Sequence, residues 1–565
     1  MAYNFNRVAH VAYFSMEIAL RSEIPTYSGG LGVLAGDTLR AAADLSLPMV
    51  AVSLVSKLGY FRQTIDSNGK QVVSTDAWDP TRWAAPLDAR VCVAIEGRRV
   101  WVGGWVYMLN SPGGGAAPII LLDTDLAENA SSDREITATL YGGDNEYRLK
   151  QEIVLGIAGA RMLHALGIEV LEYHMNEGHS ALLTLELLRR YAYSESEVRP
   201  GEPHYNIPRV REICNFTTHT PVQAGHDHFD YPLVERVLGS FVELAVLKQL
   251  GGSDALNLTR LALNLSEHVN GVAKRHAETS RAMFPGYHVS AITNGVHGVT
   301  WTAPSFAALF DLRLPGWRFD PALLVRADCI LTDEEVWHAH EQAKAALRER
   351  VRAACGVELD PARATLGFAR RMTSYKRPDL LFSDLSRLRA IAKQTPFQLL
   401  VAGKAHPHDE AGKLLIERLH AHARELAGDV QVVFMPGYDM ALASLIIAGV
   451  DVWLNTPQPP LEASGTSGMK AAFNGVPSLS VLDGWWLEGC LEGVTGWAIG
   501  NGEATQLGQT DAESLYVKLS RDVLPMFYED RTRFIAMMKA AIAKNASYFN
   551  AHRMMQRYAV EAYVK

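Results

Sequence analysis

The sequence predicts an α/β protein made of two doubly wound domains with a cleft between them. Three observations carry that expectation. Short β-branched or apolar runs alternate with helix-like stretches along the chain, one Gly/Thr/Pro-rich break interrupts the alternation, and 565 residues exceed what a single core organises.

In the first half the runs are AHVAYF (9–14), LPMVAVSLV (47–55), PIILLD (118–123), VLEYHM (170–175) and EICNFTT (212–218). The break falls at AITNGVHGVTWTAPSF, so the domains are expected at 1–298 and 299–565. Beyond it come ATLGFA (364–369), FQLLVAG (397–403), VQVVFM (430–435), VDVWLN (450–455) and PSLSVL (477–482). Between them lie helical patterns such as DEAGKLLIERLHAHARELA. Parallel strands need a crossover, usually a helix, so this alternation reads as βαβ units on parallel sheets. The last helical stretch, from about Arg531, is expected to pack back on the first domain. Ligands of open α/β sheets bind beyond the carboxyl ends of strands, which directs attention to the residues after each run.

Composition excludes several classes. Hydrophobic residues at 48% and charged residues at 21% are those of a soluble globular chain. A net charge of −8 without a basic block argues against a nucleic-acid partner. Cys92, Cys214, Cys329, Cys355 and Cys490 are scattered and form no CxxC pair, which points to a reducing compartment and away from structural zinc. The first residues lack the plan of a secretory leader, and ALASLIIAGVDVWL is too short to cross a bilayer and carries Asp451. The expectation is a cytoplasmic protein with no membrane partner.

Four stretches follow strand ends. In PTYSGGLGVLAGDTLRAAADL, Gly29, Gly30 and Gly32 open a helix, where backbone N–H groups can cradle a phosphate or merely form a turn. GFARRMTSYKRPDLLF places Arg370, Arg371, Lys376 and Arg377 within eight residues, an anion clamp or a solvated basic turn. In EASGTSGMKAA, Glu462 and Ser464 suit sugar hydroxyls, and Thr466 is expected to cap a helix. That helix carries Lys470 one turn in, beside a dipole end that disfavours a cation. A lysine there either sits at the surface or forms a Schiff base with pyridoxal phosphate. The fourth group is Asn176 and His179 in HMNEGHSALLTLE with His219 in TTHTPVQAGHDHF. His226 and His228 resemble metal ligands, but no carboxylate spacing completes a site, and no metal is assigned.

Together these stretches resemble the α-glucan (glycogen, starch and maltodextrin) phosphorylases. EASGTSGMKAAFNGV is similar to that family's cofactor segment, RRMTSYKR to its phosphate-recognition segment and SGGLG to its glycine loop. RLKQE (148–152), VNGVAKRH (269–276) and ITNGVHGVTW (292–301) follow in the family's order, and the resemblance runs from about Tyr13 past Trp486. It implies two Rossmann-like domains of the GT-B glycosyltransferase architecture. The first would bind glucan and the glucosyl unit, the second pyridoxal 5′-phosphate and phosphate.

The resemblance also implies roles, residue by residue. Lys470 would carry the cofactor, Gly30, Arg370 and Thr466 its phosphate, with Tyr438 nearby. Arg371 and Lys376 would hold substrate phosphate and, with His219, make up the catalytic group. Glu462, Ser464, Gly465, Asn294, His219 and Gly29 would meet the glucosyl substrate. The partners implied are an α-1,4-glucan and inorganic phosphate, and the product is α-glucose 1-phosphate with retained configuration. Ser467 and Gly468 depart from the Gly-Asn pair of longer members, and NGVHGVTW departs from NGITPRRW. The chain begins almost at its first strand, so the N-terminal regulatory extension of animal members is not expected. A nucleotide-sugar glycosyltransferase, a non-catalytic glucan-binding protein and a pyridoxal enzyme of amino acids stay open as alternatives. So do glucan chain length, reaction direction and oligomeric state, a homo-oligomer included.

Overall fold

The computed structural model describes residues 8–194, 196–198, 204–502 and 509–564. Its first half contains β1 (Val8–Phe14), α1 (Gly30–Asp44), β2 (Met49–Leu54), β3 (Arg98–Asn110), β4 (Ala116–Asp123), β5 (Glu169–Asn176), β6 (Cys214–Thr217), β7 (His268–Gly271) and β8 (Ser290–Ala291). They belong to a ten-stranded sheet ordered β8-β7-β6-β5-β1-β2-β4-β3, completed by Ala85–Pro86 beyond β3 and Val91–Ile95 paired with it. All pairs from β8 to β4 are parallel, and β3 turns back antiparallel on β4. Ala12 and Phe14 enter one hydrophobic cluster while Val11 and Tyr13 enter another. Both faces are therefore covered, which is why the runs read as nearly continuous apolar stretches instead of alternating ones.

The second half contains α2 (Asp333–Cys355), β9 (Ala364–Ala369), β10 (Phe397–Ala402), β11 (Gln431–Met435), α3 (Met440–Gly449), β12 (Val452–Asn455), α4 (Ser467–Ala472), β13 (Ser478–Val481), β14 (Gly496–Ile499) and α5 (Ala551–Tyr558). Its six strands form a parallel sheet in the order β11-β10-β9-β12-β13-β14. The chain winds outward from β9 to β11 and then restarts on the other side of β9 with β12. That reversal is a topological switch point, where loops diverge and leave a crevice. In the first sheet the corresponding reversal lies between β1 and β5.

The sequence reading finds ten of these strands and misses others. Val91–Ile95 and β3 form a hairpin turning at Glu96 and Gly97, both with positive φ. Glutamate where Asn or Asp is usual hides that turn. The C-terminal helix α5 buries Ala551, Met554, Met555 and Tyr558 in the cluster that holds Val11, Leu34 and Leu39, so it lies on the first sheet beside α1.

Helix α2 begins with a capping box, Thr332 and Glu335 each bonding the other's backbone, and stops at Gly356 in the left-handed region. Its buried stripe carries His340 and Lys344 onto Asp451, which precedes β12. Asp451 accepts from His340 Nε2 at 2.8 Å, Lys344 Nζ at 2.6 Å and Thr365 N at 2.7 Å. Asp451→Asn should cost about 2 kcal/mol, because Lys344 loses its buried counter-charge but keeps the Arg363 carbonyl. Urea unfolding checks this, and an unchanged midpoint would refute it.

Candidate active site

The two switch points meet. After β1 the chain presents Glu17, then Ser28 and Gly29 lead into α1. The Glu17 carboxylate accepts from Ser28 N at 2.5 Å, Gly29 N at 3.2 Å and Tyr141 Oη at 3.0 Å. A side chain at Gly32 would meet Glu17 Oε2 at 2.7 Å, so glycine is what lets the carboxylate approach the helix end. A Cβ on Gly30 would meet nothing within 4 Å among the described residues, leaving the first free N–H groups of α1 approachable. From the other side Arg371, two residues past β9, brings Nη2 to 3.4 Å from Ser28 Oγ. The same atom lies 3.2 Å from where a Gly29 Cβ would stand. Enclosure by the crevice walls works against the Arg371 charge, but Tyr60, Glu17, Tyr375 and Tyr141 more than offset it. Solvent reaches this side chain, so an anion can too.

The loops after β9 and β12 hold a buried ionic cluster. Glu462 accepts from Arg370 Nη2 at 2.7 Å and from Lys376 Nζ at 2.7 and 2.6 Å. Burial alone would raise the Glu462 pKa, but the two cations overcome that and bring it to about 2. Arg370 Nη1 and Ser464 Oγ are buried with no hydrogen-bond partner among the described residues. Asp483 fixes the loop by accepting from Glu462 N at 2.9 Å and Gly484 N at 2.9 Å. Burial, reinforced by the Glu462 charge, pushes Asp483 up to about 6. Gly465 has φ +82, a conformation that a β-carbon would strain beside Glu462. Tyr438 donates to the Ala369 carbonyl at the end of β9, at 3.3 Å.

Lys470 lies in α4 and is buried, at 8% exposure. Its amine sits 4.0 Å from the centre of the Trp301 ring, and Trp301 Nε1 donates to Asp37 of α1 at 2.8 Å. Burial lowers the Lys470 pKa to about 8, with Asp37 opposing and Arg40 assisting. The surface-lysine alternative is thereby excluded. Thr466 precedes α4 but makes no capping hydrogen bond, contrary to the expected cap, because its own backbone is already helical.

The third part follows β5 and β6. His219 Nε2 lies 2.7 Å from Asn176 Oδ1, and Asn176 Nδ2 donates to Ser15 Oγ at 3.0 Å. That orientation makes His219 Nε2 the donor. Burial, with His276, His174 and His179 nearby, drops its pKa to about 3, so the imidazole is neutral. Glu177, held at φ +73, accepts from His219 N at 2.8 Å and Thr220 Oγ1 at 2.9 Å. A non-glycine residue in that region is strained, and here the strain orients His219. Asn294 is buried with Oδ1 unpartnered among the described residues.

Of the four clustered cations, Arg377 goes elsewhere. It ties Thr456 and Pro457 carbonyls at 2.9 and 2.5 Å and Asp511 at 2.7 Å. Among the described residues His226 and His228 do not converge on a carboxylate; His226 Nδ1 pairs with Thr259 Oγ1 at 2.8 Å and His228 Nδ1 with the His226 carbonyl at 2.7 Å. Glu17, Glu177 and Asp483 were not singled out from sequence. The available signal was position, since Glu17 and Glu177 stand just past strand ends in FSME and HMNE.

A model of the carbohydrate phosphorylase family matches residues 242–494. A maltodextrin phosphorylase of Thermococcus litoralis is 38% identical over 98% of this chain and 70% of its own length. A glycogen phosphorylase of Aquifex aeolicus is 34% identical, covering 98% and 86%. An uncharacterised protein of Methanocaldococcus jannaschii is 32% identical over 98% of this chain and 99% of its own.

Proposed function

The chain belongs to the carbohydrate phosphorylase family, and from that premise we propose that it is an α-glucan phosphorylase. It releases the terminal glucosyl unit of an α-1,4-glucan to inorganic phosphate as α-glucose 1-phosphate, with retention. The observation that carries this reading is the convergence of Arg370 and Lys376 on Glu462 at the second switch point, with Arg371 beside the α1 N-terminus. Residues 1–298 and 299–565 act as two Rossmann-like domains of GT-B type, and the site lies in the cleft between them.

The residues fit pyridoxal 5′-phosphate as a cofactor. Lys470 offers a buried amine of lowered pKa, Arg370 an unpartnered Nη1 and Gly30 free backbone N–H groups, with Thr466 and Tyr438 alongside. When bound, the cofactor supplies a phosphate whose second ionisation, near pH 6, suits proton exchange at neutral pH.

The chain's own residues do the rest. Arg371 and Lys376 bind and orient inorganic phosphate, and their charge lets two dianions coexist in the cleft. A phosphate oxygen attacks the anomeric carbon while its proton passes to the leaving glycosidic oxygen. Glu462 and Ser464, with Gly465, Asn294 and a neutral His219, hold the sugar hydroxyls, Gly29 standing beside them. Glu462 stays ionised and shares its remaining lone pairs with the sugar. No pair of catalytic carboxylates is required, unlike glycosidases. The unpaired cysteines agree with a cytoplasmic enzyme, and no helix among the described residues is long and apolar enough to cross a membrane.

The test is phosphate-dependent formation of glucose 1-phosphate from maltodextrins of graded length, read with the cofactor's absorbance. Transfer from a nucleotide sugar without that absorbance would replace this reading by the glycosyltransferase alternative. Glu462→Gln should lower turnover by about tenfold or more, since it removes a charged acceptor. A variant that loses stability alone would mark Glu462 as structural.

A further inference from the structure

We propose that Asp44, His297 and His552, none of them assigned above to cofactor, phosphate or sugar, form a binding site for one divalent transition-metal ion. Asp44 ends α1, His297 precedes the short helix Gly298–Trp301, and His552 lies in α5. The opposite end of α1, at Gly30, is about 21 Å away along the helix. Asp44 Oδ2 lies 2.8 Å from His297 Nε2 and 2.9 Å from His552 Nε2. All three donor atoms are within 4.8 Å of one another. Their side chains are 11%, 9% and 5% exposed, so the cluster is shielded from bulk water. Two imidazoles and a carboxylate are the donor set of Zn²⁺, Co²⁺ and Ni²⁺ sites, with a fourth position for water.

The groups behind His297 and Asp44 suit ligation. Each ring now donates its Nε2–H to Asp44 Oδ2. Coordination through Nε2 requires that nitrogen to give up its proton, Nδ1 being the other ring position that can hold one. His297 Nδ1 lies 2.6 Å from Thr300 Oγ1, a hydroxyl that turns from donor to acceptor without moving its oxygen. His552 Nδ1 is buried and has no hydrogen-bond partner among the described residues, so the shift breaks no bond there but leaves a buried N–H whose cost the ion must offset. Ser111 Oγ donates to Asp44 Oδ1 at 2.6 Å, which fixes the carboxylate and leaves Oδ2 to the ion.

The ion would staple three segments far apart in sequence. Arg553 already donates to the carbonyls of Thr293 and Asn294 at 2.7 and 2.9 Å. The Ala551 amide adds a bond to the Val296 carbonyl at 2.8 Å. A metal on His297 and His552 therefore reinforces the grip of α5 on the segment that carries Asn294 and Trp301.

Cobalt(II) titration of the chelator-treated holoenzyme tests the site. A visible d–d absorption saturating at one equivalent, bleached by Zn²⁺ and accompanied by a higher Tm, is the expected result. His552→Gln and Asp44→Asn should each weaken Co²⁺ binding by about a hundredfold while keeping the cofactor's absorbance. Absence of saturable absorption in the wild type, or binding unchanged in both variants, overturns the proposal. Should the variants not fold, X-ray absorption of the cobalt-loaded wild type decides: two histidine ligands support the site, and fewer overturn it.

Discussion

Lys470→Met is expected to abolish phosphorolysis and, in the cofactor-free protein at pH 7, to raise the thermal midpoint. The two effects share one cause. Lys470 is a buried amine over Trp301, and burial brings its pKa down to about 8. At pH 7 it is still mostly charged, so the folded protein carries a poorly solvated cation. About one amine in ten is neutral there, against about one in three thousand for an ordinary lysine, which favours reaction with an aldehyde. Methionine fills similar space without the charge. The stabilisation should be about 1–2 kcal/mol, the Trp301 ring offsetting part of the burial penalty. The sign with pH follows. Between the folded pKa of about 8 and the unfolded value of 10.5 the unfolded chain binds more protons, so the wild type gains stability as pH rises through that window. The advantage of the methionine variant is complete below pH 8 and fades toward about 10.5. Melting of both apo-proteins at pH 7 and pH 10 tests the charge, and glucose 1-phosphate formation tests the anchor. A destabilised variant at pH 7 would contradict the first, and retained turnover the second.

The legible parts of this fold are those set by local pattern. The runs 364–369 and 397–403 become β9 and β10 almost unchanged, because β-branched and apolar residues between helical stretches specify a strand buried on both faces. Strand order is not local. That β12 returns beside β9 follows from the packing of α2 and α3 against the sheet, including the Asp451 contacts with His340 and Lys344. Nothing periodic in the sequence encodes that reversal, yet it brings the loop with Arg370 to the loop with Glu462.

The site divides in the same way. Cations and glycines past strand ends announce anion chemistry, so Arg370, Arg371, Lys376 and the Gly29–Gly32 loop are readable. Carboxylates that organise them are not, since Glu17 meets Ser28 eleven residues on and Glu177 meets His219 from another strand. Asp44, His297 and His552 share even less sequence context: their meeting depends on α5 folding back across α1. Spacing rules for metal ligands find neighbours in sequence, which is why His226 and His228 drew notice and this cluster did not.

Arg371→Ala should lower kcat/KM for phosphate by about 10²–10³, the loss of some 3–4 kcal/mol of charge-assisted stabilisation. The geometry makes this variant cleaner than Lys376→Ala. Among the described residues Arg371 hydrogen-bonds only Ser28 Oγ, at 3.4 Å, so its removal leaves the buried Glu462–Arg370–Lys376 cluster whole. Cofactor absorbance, Tm and KM for maltodextrin should therefore stay near wild-type values. Lys376→Ala removes the two contacts to Glu462 at 2.7 and 2.6 Å, so it should lose turnover and also lower Tm. Arg371→Lys keeps the charge but not the two-pronged fork, and should fall between wild type and the alanine variant. Steady-state kinetics with phosphate varied at saturating maltodextrin, together with melting curves, separates the three. Turnover within tenfold of wild type in Arg371→Ala would show that the exposed guanidinium beside the α1 N-terminus does not hold the attacking phosphate.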